Sequence, residues 1–118
     1  MKKVIIALLA ILFLGVNAVS AQKKTEEIKI KTSAQCEQCK TRIETAMAYE
    51  KGVVKSELNL DTKELKVVYK PSKTTPENIR KALNYLGYDA DNTLADKKAY
   101  SKLPSCCKKP DDPDHTNH

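Results

Sequence analysis

The spacing of the apolar residues changes at a pair of cysteines, Cys36 and Cys39, and this change limits the folds that the chain can adopt. Before the pair, isoleucines alternate with lysines over residues 26–32, a period of two that is typical of a half-buried strand. After the pair, apolar residues recur at helical spacing until Gly52 provides a stop signal. The two thiols therefore lie where a predicted strand passes into a predicted helix.

The same two periods recur further along the chain. Val54 and Leu58 share one face of a second predicted strand, and a third strand follows a turn at residues 61–63. Thr75 is then a predicted helix N-cap, with Pro76 in the first turn, where the missing N–H of proline is tolerated. A glycine ends this second helix, and we expect a short last strand directly after it.

The predicted order is strand, helix, strand, strand, helix, strand over residues 26–94. This is the order of a ferredoxin-like βαββαβ sandwich, an α+β fold with a four-stranded antiparallel sheet and two helices on one face. In that topology the last strand, over residues 88–94, runs antiparallel to the first. We therefore expect the turn at Gly87 and Tyr88 to lie beside the cysteine loop.

The N-terminus has the three parts of a secretory signal peptide, which we assign to residues 1–21. Lys2 and Lys3 precede an apolar run, and small residues ending at Ala21 follow it. The apolar run is too short to span a bilayer, which takes about 20 residues. We therefore expect export to the periplasm or secretion, with no membrane insertion once the signal peptide is removed.

The charge of the chain gives no support for nucleic-acid binding. The formal net charge is +6, and Lys2 and Lys3 contribute two of these charges within the predicted signal peptide. The other lysines are scattered, and the chain has one Phe and no Trp, so neither a basic patch nor a stacking surface is indicated. Solubility of an exported protein explains the lysines better.

Two cysteines at the start of a helix favour the thiolate form, because backbone N–H groups and the helix dipole stabilise negative charge there. Lys40 and Arg42 act in the same direction. Such a pair suits a soft metal ion, and Cu(I) first, since two sulfur ligands can satisfy it. The same pair could instead close a disulfide, and export to an oxidising compartment keeps that alternative open.

With these features, the chain resembles the heavy-metal-associated domain family, which includes small copper chaperones, periplasmic mercury-binding proteins and the N-terminal modules of metal-pumping ATPases. The resemblance covers residues 26–94 and rests on three stretches: Cys36-Glu37-Gln38-Cys39, Gly52-Val53 and Leu86-Gly87-Tyr88-Asp89-Ala90. It implies that Cys36 and Cys39 are the metal ligands and that Tyr88 is an aromatic residue near the metal. Ala34 stands where the family usually has a buried Met before the motif.

Beyond residue 94 the family pattern ends, and a C-terminal extension covers residues 95–118. Residues 96–103 have helical spacing, whereas residues 108–118 hold no apolar side chain and are expected to form a disordered tail. Cys106 and Cys107 lie between these two parts. Adjacent cysteines rarely bond to each other without strain, which leaves two interpretations: additional metal ligands, or bystanders on a loose tail.

Our hypothesis is that residues 96–103 pack back along the domain and that Cys106 or Cys107 approaches the Cys36/Cys39 loop. Three or four thiolates there would favour tetrahedral ions such as Zn(II), or a copper cluster. They would also favour retention of the ion over its transfer.

Together these features predict a non-enzymatic carrier or scavenger of a thiophilic metal ion, with Cu(I) first and Hg(II), Zn(II) or Cd(II) as alternatives. An incoming thiolate would join Cys36 and Cys39 in a three-coordinate intermediate, and the ion would pass to a metal transporter or another metal-accepting protein. We expect a monomer, with a metal-bridged dimer as the alternative. A thiol–disulfide exchange protein with Cys36 as nucleophile, and an interaction module that has lost the metal, are the rival functions.

Overall fold

The computed structural model describes residues 24–116, which form an α+β domain followed by a short extension. The strands are β1 (Glu26–Lys31), β2 (Val53–Asn59) and β3 (Glu64–Tyr69). The helices are α1 (Glu37–Ala48), α2 (Pro76–Leu86) and α3 (Lys97–Ser101), and a 3₁₀ turn follows at Ser105–Cys107. The predicted signal peptide, residues 1–21, lies outside the described residues. Within residues 24–116, no helix has the length and apolar character needed to cross a membrane.

The sheet is antiparallel, with β3 at its centre in the order β1-β3-β2. Ile30 on β1 and Leu58 on β2 both pair with Leu65 on β3, so three apolar side chains lie in one row across the sheet. All three are buried and pack in a single cluster with Ile43 of α1 and Leu83 of α2. The core therefore lies between the sheet and the two longer helices, as the apolar patterns predicted.

Val54 does not join this core face, contrary to the sequence prediction. The register of β2 shifts between Val53 and Lys55, which pair with Tyr69 and Val68 respectively. A bulge of this kind adds a residue to one strand and changes which side chains point inward. Val53 is half-buried as a result, and Val54 is 50% exposed.

The fourth strand predicted at residues 88–94 does not form in the described part of the chain. A single antiparallel bridge joins Thr32, just after β1, to Ala90, and the chain then turns so that Ala90 also pairs with Thr93. Asp91 makes this turn with a φ of 51°, a conformation that Asp tolerates better than most residues. The direction of the last segment is as predicted, but the sheet has three strands.

Helix α2 begins and ends as its sequence predicts. The Thr75 side chain accepts a hydrogen bond from the Asn78 N–H at 3.2 Å, and Pro76 occupies the first helical position. Gly87 ends the helix with a φ of 112°, and a Cβ atom at this position would lie 3.0 Å from the Leu103 side chain. The absence of a side chain at Gly87 therefore allows both the helix stop and the close approach of the extension.

The extension returns along the domain. Leu103 is 5% exposed and packs in the core cluster, and the Lys109 ammonium forms an ion pair with Asp89 at 2.7 Å. The Tyr100 hydroxyl donates to Asp112 at 2.8 Å and accepts from the Lys109 N–H at 2.9 Å. Residues 108–116 thus differ from the disordered tail that the sequence predicts. Their contacts are polar and ionic. The prediction of disorder relied on the lack of apolar side chains, which gives no information about such contacts.

Candidate metal-binding site

The loop between β1 and α1 places the first cysteine pair at the start of the helix. Cys36 is the N-cap residue of α1, and Cys39 lies in the first helical turn. Their sulfur atoms are 3.4 Å apart. Cys39 is fully buried, whereas Cys36 is partly exposed. The pair therefore offers one sheltered sulfur and one that a partner can reach.

Polar contacts fix the loop that precedes the cysteines. Ala34 is fully buried, its N–H donates to Thr32 Oγ1 at 3.2 Å, and its carbonyl accepts from the Lys63 ammonium at 3.0 Å. Lys63 also donates to the side-chain carbonyl of Gln35 at 3.0 Å. The Gln35 N–H in turn donates to Cys39 Sγ at 3.4 Å, so the loop also contacts the buried sulfur. Hydrogen bonds therefore anchor this loop around a small residue.

The sequence suggested that the Lys40 ammonium would stabilise the thiolates, but in the structure it has other partners. It forms an ion pair with Glu44 at 2.6 Å and donates to the Leu58 carbonyl at 2.9 Å. Glu44 also accepts from the Leu58 N–H at 2.7 Å. The positive charge of Lys40 is thus used to tie α1 to β2.

The extension brings the second cysteine pair to the first. Cys36 Sγ lies 3.0 Å from Cys106 Sγ and 3.6 Å from Cys107 Sγ. The sulfur atoms of Cys36, Cys106 and Cys107 all lie within 4.8 Å of one another. Cys106 is 5% exposed and Cys107 is 1% exposed. The hypothesis that the second pair returns to the loop is confirmed in position.

Residues other than the four cysteines hold the second pair in place, and the sequence did not reveal them. Cys106 Sγ donates to the side-chain carbonyl of Gln38 at 3.2 Å, and the Cys107 N–H donates to the Pro104 carbonyl at 2.9 Å. Gln38 lies between the two cysteines of the first motif, and this position was the only sign in the sequence that its side chain would be near the second pair. The ion pair between Asp89 and Lys109 has no local pattern, since twenty residues separate its members.

Tyr88 lies in the core and beside the sulfur cluster. Its side chain is fully buried, and its hydroxyl makes no well-formed hydrogen bond to any residue between 24 and 116. Burial raises the pKa of this hydroxyl most, and the neighbouring Cys107 and Cys39 thiols raise it further. The Tyr88 hydroxyl is therefore a buried donor beside thiols, and it would gain an acceptor if either thiol became a thiolate.

The four cysteines are free thiols in the structure. Burial, followed by the neighbouring Cys39 thiol, holds the pKa of Cys107 well above the usual value for a thiol. Cys107 therefore keeps its proton at neutral pH when no metal is bound. A thiophilic ion that binds there must displace this proton, because the thiolate is the ligand.

Comparisons with known proteins agree with this geometry. Residues 33–89 match the family model of the heavy-metal-associated domain. Over 54 residues the chain is 43% identical to the copper chaperone CopZ of Staphylococcus epidermidis, an alignment that covers 46% of this chain and 79% of the chaperone.

Solved structures show the same fold. A CopZ metallochaperone superposes with a TM-score of 0.53 at 26% identity, over 55% of this chain and 98% of that one. The water-soluble region of the P-type ATPase CopA from Bacillus subtilis superposes with a TM-score of 0.54 at 31% identity, over 57% of this chain and 45% of that one.

The match to the family model includes Cys36, Cys39 and Tyr88 and ends before the extension that carries Cys106 and Cys107. The first cysteine pair is thus part of the shared domain, and the second pair lies outside it. From the matched residues, the identity to a chaperone most of whose length is covered, and the common fold, this chain belongs to the heavy-metal-associated domain family.

Proposed function

We propose that this protein binds a thiophilic metal ion, Cu(I) first, at Cys36 and Cys39 and carries it to a metal-accepting protein. The observation that carries the proposal is the pair of sulfur atoms 3.4 Å apart at the start of α1, one buried and one partly exposed. Soft thiolate ligands favour thiophilic ions, Cu(I) among them, and two sulfur atoms can satisfy Cu(I). A copper chaperone and a copper-exporting P-type ATPase among the relatives support copper as the cargo.

Transfer proceeds by exchange of thiolate ligands. Each cysteine that binds the ion gives its thiol proton to solvent. A thiolate of the acceptor adds to the ion to form a three-coordinate intermediate, and one of the original sulfur atoms then leaves. Cys36 is the residue at which the acceptor arrives, because it is the more exposed of the two. A metal transporter that presents its own cysteines is a suitable acceptor.

A metal titration tests this proposal. Reduced protein is titrated with Cu(I) against a chromogenic chelator, and the wild type is compared with the Cys36→Ser/Cys39→Ser double variant. We expect the affinity to fall by at least roughly a hundredfold, since both ligands of the shared site are lost. Circular dichroism of the metal-free variant confirms that it is folded. Equal affinity in the two proteins would place the site elsewhere.

Thiol–disulfide exchange is the rival function for the same residues, and the 3.0 Å contact between the sulfur atoms of Cys36 and Cys106 favours it. An insulin-reduction assay separates the two. We expect the wild type to reduce insulin no faster than the Cys36→Ser/Cys39→Ser variant. Faster reduction by the wild type would support the redox function.

We also propose that the protein is exported and acts as a monomer. The basic, apolar and small-residue parts of residues 1–21 support cleavage after Ala21. The intact mass of protein recovered from the periplasmic fraction should correspond to a chain that begins at Gln22.

Size-exclusion chromatography with and without Cu(I) should show one monomeric species, and a dimer that forms only with metal would indicate bridging between two copies.

A further inference from the structure

We propose that Cys106 and Cys107 are metal ligands that the chain supplies to its own site, so that an ion is held by three or four thiolates until an acceptor displaces the extension. This inference rests on the proposed metal binding by Cys36 and Cys39. The ligand class is a single soft d¹⁰ cation, such as Cd(II), Zn(II) or Cu(I), in a sulfur-only coordination shell. The second pair thereby makes transfer of the ion to an acceptor slower than it would be from Cys36 and Cys39 alone.

The distances between the sulfur atoms fit such a shell. With metal–sulfur bonds of about 2.3 Å, the corners of a sulfur tetrahedron lie about 3.8 Å apart. Around Cys36 Sγ, the observed distances are 3.4 Å to Cys39, 3.6 Å to Cys107 and 3.0 Å to Cys106. The sulfur atoms of Cys36, Cys106 and Cys107 all lie within 4.8 Å of one another, so small movements of these three would admit an ion among them, with Cys39 beside Cys36 as the fourth ligand.

The second pair is held at the site by contacts that do not involve its sulfur atoms. Leu103 packs against Gly87 at the end of α2, and Lys109 pairs with Asp89 two residues beyond that glycine. These two contacts lie on either side of Cys106 and Cys107 in the sequence. The pair is thus positioned before a metal arrives, so the ion does not have to order the extension, and binding is tighter as a consequence.

The same placement controls access to the ion. In a two-thiolate site on an exposed loop, an acceptor thiolate can approach freely, because the ion keeps an open position. Here Cys106 and Cys107 occupy the position beside Cys36, and both are buried. A ligand on the same chain competes at millimolar or higher effective concentration. An acceptor must therefore displace the extension before it can take the ion.

The coordination step balances without a redox change. Each of the three or four thiols that binds loses one proton to solvent, and the metal keeps its oxidation state. The buried Tyr88 hydroxyl, which has no well-formed hydrogen bond among the described residues, then has thiolate acceptors beside it. The polar surroundings of the cluster are in this way better satisfied with the ion than without it.

Cd(II) alone, added to reduced full-length protein, provides the test, because each cadmium–thiolate bond adds to a charge-transfer absorbance in the ultraviolet. We compare the wild type with Cys106→Ser/Cys107→Ser. We expect the absorbance per bound ion to fall by roughly a third to a half, since one of three or two of four sulfur ligands are lost. We expect release of Cd(II) to an excess of a small chelator to be roughly a hundredfold faster. Equal absorbance and equal release rates would overturn the inference.

A matched control changes the same turn without removing a sulfur. Ser105→Ala should keep the wild-type absorbance and release rate. Cys106→Ser alone retains Cys107 and gives an intermediate absorbance, and it serves as the test if the double variant does not fold.

The Cys36→Ser/Cys39→Ser variant separates this inference from the proposed function. If that variant loses Cd(II) while Cys106→Ser/Cys107→Ser matches the wild type, only the role of the extension is wrong. If that variant binds Cd(II) as the wild type does, the proposed function itself fails.

Discussion

At the scale of single residues, the Tyr88 hydroxyl distinguishes the metal-free site from the loaded one. It is buried with no well-formed hydrogen bond among residues 24–116, and a buried polar group in that state costs about 1–3 kcal/mol. Tyr88→Phe should therefore leave the free energy of unfolding of the metal-free protein unchanged, or raise it. Metal affinity should fall by roughly tenfold, because a thiolate ligand loses a donor.

Urea unfolding without metal and Cd(II) competition measure the two effects of Tyr88→Phe separately. A clear loss of stability in the metal-free variant would show that the hydroxyl has a partner there, such as water. An unchanged metal affinity would show that no thiolate accepts from it.

The thiols should differ in reactivity for a related reason. Burial and the Cys39 thiol raise the pKa of Cys107, and the thiolate is the reactive form. In reduced, metal-free protein at about pH 8, iodoacetamide should modify the partly exposed Cys36 at least roughly ten times faster than Cys107. Peptide mapping by mass spectrometry gives both rates. The modification rate at Cys107 should still rise with pH in the range where the rate of an ordinary thiol has become constant. Equal rates at Cys36 and Cys107 at about pH 8 would contradict the burial of Cys107.

At the scale of elements, α2 carries a large part of the core. Leu83 is fully buried against the sheet cluster, so Leu83→Ala should lower the free energy of unfolding by about 2–5 kcal/mol. Tyr85, on the same helix, is 73% exposed, and Tyr85→Ala should change the free energy of unfolding by about 0.5 kcal/mol or less. Chemical denaturation of both variants tests which face of α2 is buried. Similar losses of stability in the two would contradict the assignment of Leu83 to the buried face.

Helix α2 was predictable because its signals are local. Thr75, Pro76 and Gly87 act on backbone groups within one turn of themselves. The orientation of Val54 was not predictable, since the bulge beside it depends on pairing with β3. The missing fourth strand has a similar cause: the turn at Asp91 is stabilised by the Lys31 N–H, which donates to its carboxylate at 2.9 Å from sixty residues away.

The candidate site divides in the same way. The positions of Cys36 and Cys39 follow from the change of period around them, and the return of the second pair could be inferred from the length of the extension. The contacts that hold that pair could not be inferred. Gln38 accepts from Cys106, and Asp89 pairs with Lys109; each contact joins residues that only the folded chain brings together.

At the scale of the whole molecule, the cysteine cluster joins the first loop of the domain to the end of the chain. Cys36 and Cys106 are seventy residues apart in sequence, and their sulfur atoms are in contact. An ion shared by the two pairs would close this long loop. Its effect on stability should therefore be concentrated in the extension, whose other contacts with the domain include the packing of Leu103 and the ion pair of Lys109 with Asp89.

Limited proteolysis tests this closure. Lys97, Lys98 and Lys102 are exposed trypsin sites in the extension, and cleavage there requires the local structure to open. A ligand that binds only the closed form stabilises it by mass action, so Cd(II) at about 100 times its Kd should slow cleavage roughly a hundredfold. In Cys106→Ser/Cys107→Ser, the ion still binds the first pair but no longer holds the extension, and cleavage should stay fast. Equal protection of the two proteins by Cd(II) would mean that metal binding stabilises the domain as a whole and that the extension is not closed by the ion.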